Sequence, residues 1–279
     1  MNYRHIYHAG NFADVFKHIM LMLVLEHLRA KEKPFFVLDS HGGIGLYDLQ
    51  SAEAQKTGEA HAGAGMIWGR TDAPEEIQRY ISLMKKFNDG KDLRYYPGSP
   101  LIIRDMLRGD DRMAVGELHP EDVVSLEKNV GRDRRVKVMH EDGYRLIRAM
   151  LPPSQRRGLV LCDPPFEVKN EFELMLDGLK EGARRWATGM FMFWYPVKDY
   201  AAVRTFHKSL AATGIPKITA FDFMKQKTAA PEKFNGSGLA IVNPPWGLEA
   251  QARAMLPWLV ETVTGGQGYY EITQIAGET

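Results

Sequence analysis

A single cysteine, Cys162, serves 279 residues, so no internal disulfide can form and a reducing compartment suits the chain. It lies inside an apolar run and reads as a buried structural thiol. Long hydrophobic runs are missing as well. The most apolar stretch, Ile19 to Leu25, is far too short to span a bilayer and is flanked by Lys17, His18, Glu26 and His27. The opening Met1-Asn2-Tyr3-Arg4-His5-Ile6-Tyr7-His8 has no signal-peptide pattern, so a soluble, cytoplasmic protein is expected. Charge of one sign is not in excess: 36 basic residues against 35 acidic ones leave a formal net charge of +1. That excludes a uniformly basic coat, and any nucleic-acid surface must be a local patch. The nine histidines show no ligand spacing with Cys, Asp or Glu, so no metal site is expected.

What is present is a regular alternation. Asn11 to Lys31 reads as a long helix, apolar enough in its middle to be buried. Phe35 to Asp39 reads as a strand that runs into Ser40-His41-Gly42-Gly43-Ile44-Gly45. Leu46 to Pro97 shows no clear strand, one helical pattern near Pro74 to Phe87, and many small loop residues. Residues 46–97 are therefore expected to be an inserted helical subdomain, with 1–45 and 98–279 forming one domain. After Pro100 helices alternate with strands at 112–118, 136–140, 158–162, 188–194, 217–223, 238–242 and 269–275. This predicts an α/β fold: an open, mostly parallel, Rossmann-like sheet covered by helices on both faces. Ligands on such sheets sit beyond the carboxyl ends of the strands.

The most informative strand end is Asp163-Pro164-Pro165-Phe166, after the apolar Gly158-Leu159-Val160-Leu161-Cys162. Two prolines cannot continue a central strand, because each removes a donor and fixes φ. The chain must leave the sheet there, presenting a carboxylate, the carbonyl of Pro164 and an aromatic face. That set suits an exocyclic amine on a flat base, and it resembles the (Asp/Asn)-Pro-Pro-(Tyr/Phe) motif of S-adenosylmethionine-dependent amino methyltransferases. A strand end merely turned by prolines is the plain alternative. Asn243-Pro244-Pro245-Trp246 follows a strand too, but comes too late in the strand count and reads as a structural exit.

Three earlier strand ends complete a series. The glycine loop at 42–45 follows the first; its spacing does not match Gly-x-Gly-x-x-Gly. Glu117 ends the next, where a carboxylate can accept both hydroxyls of a ribose. Asp142-Gly143 follows the one after, where an acid can accept from an adenine amine. Taken singly, each acid is more simply a helix cap or a solvated residue. In order, glycine loop, Glu, Asp and Asp-Pro-Pro-Phe form the layout of a class I methyltransferase.

Longer segments carry a closer resemblance: Tyr3-Arg4-His5, His8-Ala9-Gly10-Asn11, Lys17-His18, Leu38-Asp39-Ser40-His41, Arg94 to Pro100, Glu117-Leu118-His119-Pro120 and Asn243 to Trp246. Together they resemble the RlmJ family of bacterial 23S ribosomal RNA adenine-N6 methyltransferases, over nearly the whole chain. The resemblance implies a Rossmann-like methyltransferase using S-adenosylmethionine on one adenine of 23S rRNA, preferably as naked RNA, and a monomer. It carries cofactor contacts to His18, His41, Ser99, Glu117, Asp142, Gly143 and Asp163. It makes Asp163 the catalytic acid, with Pro164 and Phe166 beside it, and Tyr3 a substrate contact. The chain departs from the family in having Phe166 where Tyr is frequent, which keeps a stacking face but loses a hydroxyl. It also reads His-Gly-Gly-Ile-Gly in the glycine loop in place of His-Ala-Gly-Ala-Gly.

Three rivals remain at this point. A DNA adenine-N6 methyltransferase would share the motif. A nicotinamide-dependent oxidoreductase is opposed by the glycine spacing, and a non-catalytic RNA-binding scaffold by the intact Asp163 motif. RNA contacts are expected from Tyr3, Arg4, His5, Tyr7 and His8, or from Lys85, Lys86, Lys91 and Arg94 in the insertion.

Overall fold

A computed structural model describes residues 4–90, 92–227 and 234–278. A short 3-10 turn, His5–Tyr7, leads to helix α1, Phe12–Arg29. The side chain of Asn11 caps α1 by accepting from the backbone N–H of Ala13 and Asp14. Nearly every residue of α1 is buried, Asp14, Lys17 and His18 included, which marks a core helix rather than an amphipathic surface one.

Strand β1, Phe36–Asp39, follows. The segment expected to lack strands begins and ends with two, β2 (Leu46–Asp48) and β3 (Tyr95–Pro97), which pair antiparallel. Between them stand α2 (Ala52–Thr57), α3 (Ala64–Ile67) and α4 (Glu75–Lys85). Strands of three residues are too short to show a period, which is why the sequence hides them. Tyr47, Ile67, Ile77, Tyr80 and Tyr96 from this segment share one continuous core with α1. Among the described residues, 46–97 thus packs into the same core as α1.

The remainder runs α5 (Ser99–Met106), β4 (Arg112–Gly116), α6 (Pro120–Val130), β5 (Val136–Met139), α7 (Gly143–Met150) and β6 (Gly158–Cys162). Then come α8 (Glu171–Arg185), β7 (Met190–Val197), α9 (Tyr200–Ala211), β8 (Ile218–Met224), β9 (Gly236–Val242), α10 (Leu248–Thr264) and β10 (Tyr269–Ala276). Eight strands form one sheet in the order β10-β8-β9-β7-β6-β1-β4-β5. From β5 to β7 all neighbours are parallel; β9 is antiparallel to both β7 and β8, and β10 to β8.

Alternate side chains feed two cores. Val37, Leu159, Leu161 and Met192 pack toward α1, α5 and α10; Leu38, Val160, Cys162 and Phe193 pack toward α7, α8 and α9. Sheet and helices thus form the three layers expected of an α/β fold with helices on both faces.

The strands β1 and β6 approach so closely at their start that a side chain has no room. Gly158 has φ +151°, and a Cβ there would lie 1.7 Å from the carbonyl oxygen of Phe36. Gly158→Ala is expected to cost about 2–4 kcal/mol in urea denaturation or to prevent folding, from clash and backbone strain together. At Gly109, where φ is not positive and nothing lies within 4 Å of an added Cβ, Ala should be tolerated to within about 0.5 kcal/mol. Equal effects at both positions would refute this account of the β1–β6 contact.

Candidate active site

One cavity of about 570 Å³ opens at the carboxyl ends of β1, β4, β5, β6 and β7. Its lining includes His18, His41, Ser99, Glu117, Asp142, Gly143, Asp163, Pro164 and Phe166. Nine residues singled out from sequence are thereby brought together. Tyr3 and Lys91 lie outside the described residues.

The floor under the glycine loop is tight. A Cβ on Gly143 would meet the carbonyl oxygen of Ser40 at 2.4 Å and His41 Nε2 at 2.8 Å. The backbone after β5 therefore touches the loop after β1, and His41 is caught between them, edge-on to Tyr144 with ring centroids 5.5 Å apart. Its Nδ1 shares a hydrogen bond with the Ser40 hydroxyl at 2.8 Å. Burial lowers the His41 imidazole to about 4, so it is neutral at pH 7.

Glu117 faces this loop. Its carboxylate accepts the Gly43 N–H at 2.8 Å and the His119 N–H at 2.7 Å. Burial raises this carboxyl, while those backbone donors oppose the rise. Each oxygen keeps a lone pair for a ligand hydroxyl. One oxygen of Asp142 caps α7 by accepting the Arg145 N–H at 2.9 Å, so the helix-cap reading is true of it. Its other oxygen has no hydrogen bond among the described residues. Ser99 opens α5, buried next to Gly98.

Asp39 ends β1 directly beneath, wholly buried, with neither carboxylate oxygen in a hydrogen bond of ordinary geometry. Burial pushes its carboxyl up to about 7; the neighbouring Ser99 and Lys17 pull the other way. An orphaned buried acid is costly unless a ligand or ion uses it. S-adenosylmethionine is a cation bearing ribose hydroxyls and an adenine amine. The doubly anchored carboxylate of Glu117 and a free carboxylate oxygen of Asp142 beside a crowded glycine floor fit the hydroxyls and the amine of that molecule.

At the centre stands Lys17, whose place in the sequence marks it only as a charged flank of an apolar run. Lys17 Nζ donates to Asp14 Oδ1 at 2.9 Å and to Asp163 Oδ2. Burial works to lower the Lys17 ammonium, but Asp14 and Asp163 more than offset it and hold it above its ordinary value. Asp14 also accepts the Gly10 N–H at 2.9 Å, and its Oδ2 lies 2.8 Å from His5 Nε2. Burial works to raise Asp14, yet His5 and Lys17 keep it well below the usual carboxylate range. A polar Asp14-Lys17 spacing of three inside an apolar helix was the one available signal for this pair.

His18 is buried behind Lys17, with Nδ1 2.9 Å from the Tyr96 hydroxyl, which meets that of Tyr80 at 2.8 Å. Burial lowers the imidazole to about 3, so it too is neutral. Phe166 has φ +52°, a conformation that a bulky residue rarely adopts. Its ring meets Phe172 and Trp194 edge-on, at 5.2 and 5.9 Å between centroids. The Pro164 carbonyl accepts no hydrogen bond among the described residues, and Pro164 lines the cavity.

The basic groups proposed for RNA are mostly engaged. Arg4 pairs with Glu121 at 3.0 Å and Asp122 at 2.6 Å, strapping the N-terminal turn to α6. His8 pairs with Glu59, Lys86 with Asp105 and Arg94 with Asp48. Asn243, in contrast, lies at the opposite edge of the sheet. It follows the antiparallel β9, and its side-chain amide donates to the carbonyls of Ala187 and Gly189 at 2.9 and 2.8 Å. Among the described residues no cluster of three or more His, Cys, Asp or Glu could hold a metal ion, and no helix is long and apolar enough to cross a membrane.

Comparison with known proteins finds full-length relatives of this chain. A "Ribosomal RNA large subunit methyltransferase J" of Haemophilus influenzae is 45% identical over 280 residues, covering 100% of each chain. A protein of the same description from Escherichia coli is 42% identical over 279 residues, again with 100% coverage of both. A solved structure from Legionella pneumophila superposes with a TM-score of 0.90 at 34% identity, covering 96% of this chain and 98% of that one. The model of the family described as "Ribosomal RNA large subunit methyltransferase D, RlmJ" matches residues 32–276. With that match and two relatives of full length, the chain belongs to the RlmJ family of methyltransferases.

Proposed function

We propose that the protein is an S-adenosylmethionine-dependent ribosomal RNA methyltransferase that methylates N6 of one adenine in 23S rRNA. The observation that carries this reading is Asp163, held against Lys17 in a single cavity that the glycine loop, Glu117, Asp142 and Phe166 also line. In this reading Glu117 takes the cofactor's ribose and Asp142 its adenine, with His18, His41, Ser99 and Gly143 shaping that side of the cavity.

An adenine amine is a poor nucleophile, because its lone pair is delocalised into the ring. When bound, S-adenosylmethionine supplies a methyl group on a positively charged sulfur, so the amine needs only a lone pair aimed at it and a route for one proton. Asp163 and the Pro164 carbonyl accept the two amine hydrogens, which favours a tetrahedral nitrogen. Lys17 donates to Asp163 and so holds the carboxylate in place. Phe166 holds the ring. Positioning of this kind can lower a barrier by several kcal/mol without a large pKa change. The base must be unstacked to enter the cavity. Naked rRNA fits this requirement better than an assembled subunit, and a monomer working in the cytoplasm completes the proposal.

Labelled S-adenosylmethionine offered with 23S rRNA, assembled large subunits and DNA should label naked 23S rRNA, with N6-methyladenosine recovered on digestion. Label in DNA alone would favour the DNA enzyme. Asp163→Ala should lose at least about a hundredfold in rate, typical of a positioned acid–base group, with S-adenosylhomocysteine binding little changed. Near wild-type turnover would remove Asp163 from the mechanism.

Glu117→Ala should weaken S-adenosylhomocysteine by about 1–3 kcal/mol in calorimetry. Unchanged affinity would move the ribose elsewhere.

The same ligand carries an ammonium group, which gives Asp39 a pH signature. Only ionised Asp39 attracts a cation, and burial pushes its carboxyl up to about 7. Below that pH, binding must expel a proton. Affinity should therefore fall as pH drops from 7 toward 5.5, by up to about tenfold per unit, and level off above 7.5. Asp39→Asn should abolish that slope; an unaltered slope would show that Asp39 does not face the cation.

A further inference from the structure

We propose that Trp194 is a substrate-positioning residue: its indole forms the second wall of the pocket that receives the target base, at right angles to Phe166. The inference rests on the reading of the site as a base methyltransferase and names a contact that neither the proline motif nor the family match supplies.

Strand register places the side chain. Cys162 of β6 lies beside Phe193 of β7, so Asp163, the first residue past the end of β6, comes out next to Trp194, which is still within β7. Neighbouring parallel strands run about 4.8 Å apart. Phe193 packs with the core on the α8 side, and Trp194 packs with the opposite core, on the α1 side. Lys17 of α1 closes the group: its Nζ, bound to Asp163, lies 5.7 Å from the centroid of the Trp194 ring. Carboxylate, ammonium and indole thus meet at one point of the cavity.

The indole is held in place. Its Nε1 donates to the buried hydroxyl of Ser237 on β9 at 2.8 Å. Phe234 packs edge-on against it, centroids 6.5 Å apart. The indole N–H is therefore spent on the protein, and what Trp194 presents to the cavity is apolar surface.

Phe166 and Trp194 meet at 85° with centroids 5.9 Å apart. Two perpendicular rings make a corner rather than a slot. A flat base that stacks on Phe166 brings an edge against Trp194, and its rotation about the stacking axis is then blocked. Phe166 alone would fix the plane of the base but leave that rotation free, and the amine would sweep past Asp163. The corner fixes both, which is what directing one amine at one carboxylate requires.

The test compares wild type with Trp194→Phe, Trp194→Ala and, as a control, Trp246→Phe. Trp246 is 95% exposed at the far edge of the sheet. Steady-state kinetics would use a 23S rRNA transcript, with S-adenosylhomocysteine calorimetry in parallel. Intrinsic fluorescence of each protein, saturated with S-adenosylhomocysteine, would be followed as the transcript is added. Loss of a base contact predicts that Trp194→Ala loses about 5- to 100-fold in kcat/KM for RNA, with cofactor affinity within twofold. Trp194→Phe should recover most of that loss. RNA-induced quenching should be present in wild type and Trp246→Phe and strongly reduced in Trp194→Phe. Full quenching in Trp194→Phe, or kcat/KM of Trp194→Ala within twofold of wild type, would overturn the proposal. Should Trp194→Ala fail to fold, the fluorescence of the Phe variant decides alone. If wild type methylates no nucleic acid at all, the base-methyltransferase reading falls first and takes this contact with it.

Discussion

The ammonium of Lys17 is buried between Asp14 and Asp163, and the geometry of the site follows from how that charge is satisfied. A buried cation is tolerable only when paired and hydrogen-bonded. Asp14 lies three residues back on the same helix and is itself fixed by Gly10 N–H and His5. Asp163 comes from the other side, at the exit of β6. The pairing therefore ties the central helix to the exit of β6. It also gives α1 a role beyond filling the core: the helix delivers a charge to the cavity at that strand end.

Two carboxylates near that charge sit in opposite situations. Asp163 has a cation at hydrogen-bond distance, whereas Asp39, one strand over, has no ordinary hydrogen bond at all. One acid is thus paired with a cation; the other is buried at the end of β1 without an ordinary hydrogen bond, and burial pushes it up to about 7. The neutral imidazoles of His18 and His41 fit the same arrangement, since burial that favours an unpaired acid's protonation also keeps histidines uncharged. Lys17 is therefore the buried cation of the site, and the two histidines add no second one.

The strand-end series was legible in the sequence because its signals are local. Prolines after an apolar run end a strand, and a glycine or acid at that point is read from a few residues. Asp163, Glu117, Asp142 and the glycine loop needed nothing more. Lys17 was legible only as part of a motif, since a charged residue in an apolar helix reveals its partner only once 146 residues of chain have folded back on it. Trp194 and Asp39 were hidden for a related reason: both are strand residues whose parity is visible, but which face meets α1 is set by sheet order. Strands β2 and β3 are simply too short to leave a pattern.

The two proline motifs make the point most sharply. Asp163-Pro164-Pro165-Phe166 and Asn243-Pro244-Pro245-Trp246 are near twins as strings, and each ends a buried strand. What separates them is direction. β6 runs parallel to its neighbours, so its exit joins the edge where β1, β4 and β5 also end; β9 runs the other way, and its exit falls among strand beginnings. There the asparagine amide is consumed by two main-chain carbonyls, and Trp246 stands in solvent. An amide that already donates to Ala187 and Gly189 is anchored to the loop before β7, with no glycine floor or acid series around it. The chemistry of such a motif therefore resides in the company that sheet topology gives it, and strand polarity assigns that company to only one of the pair.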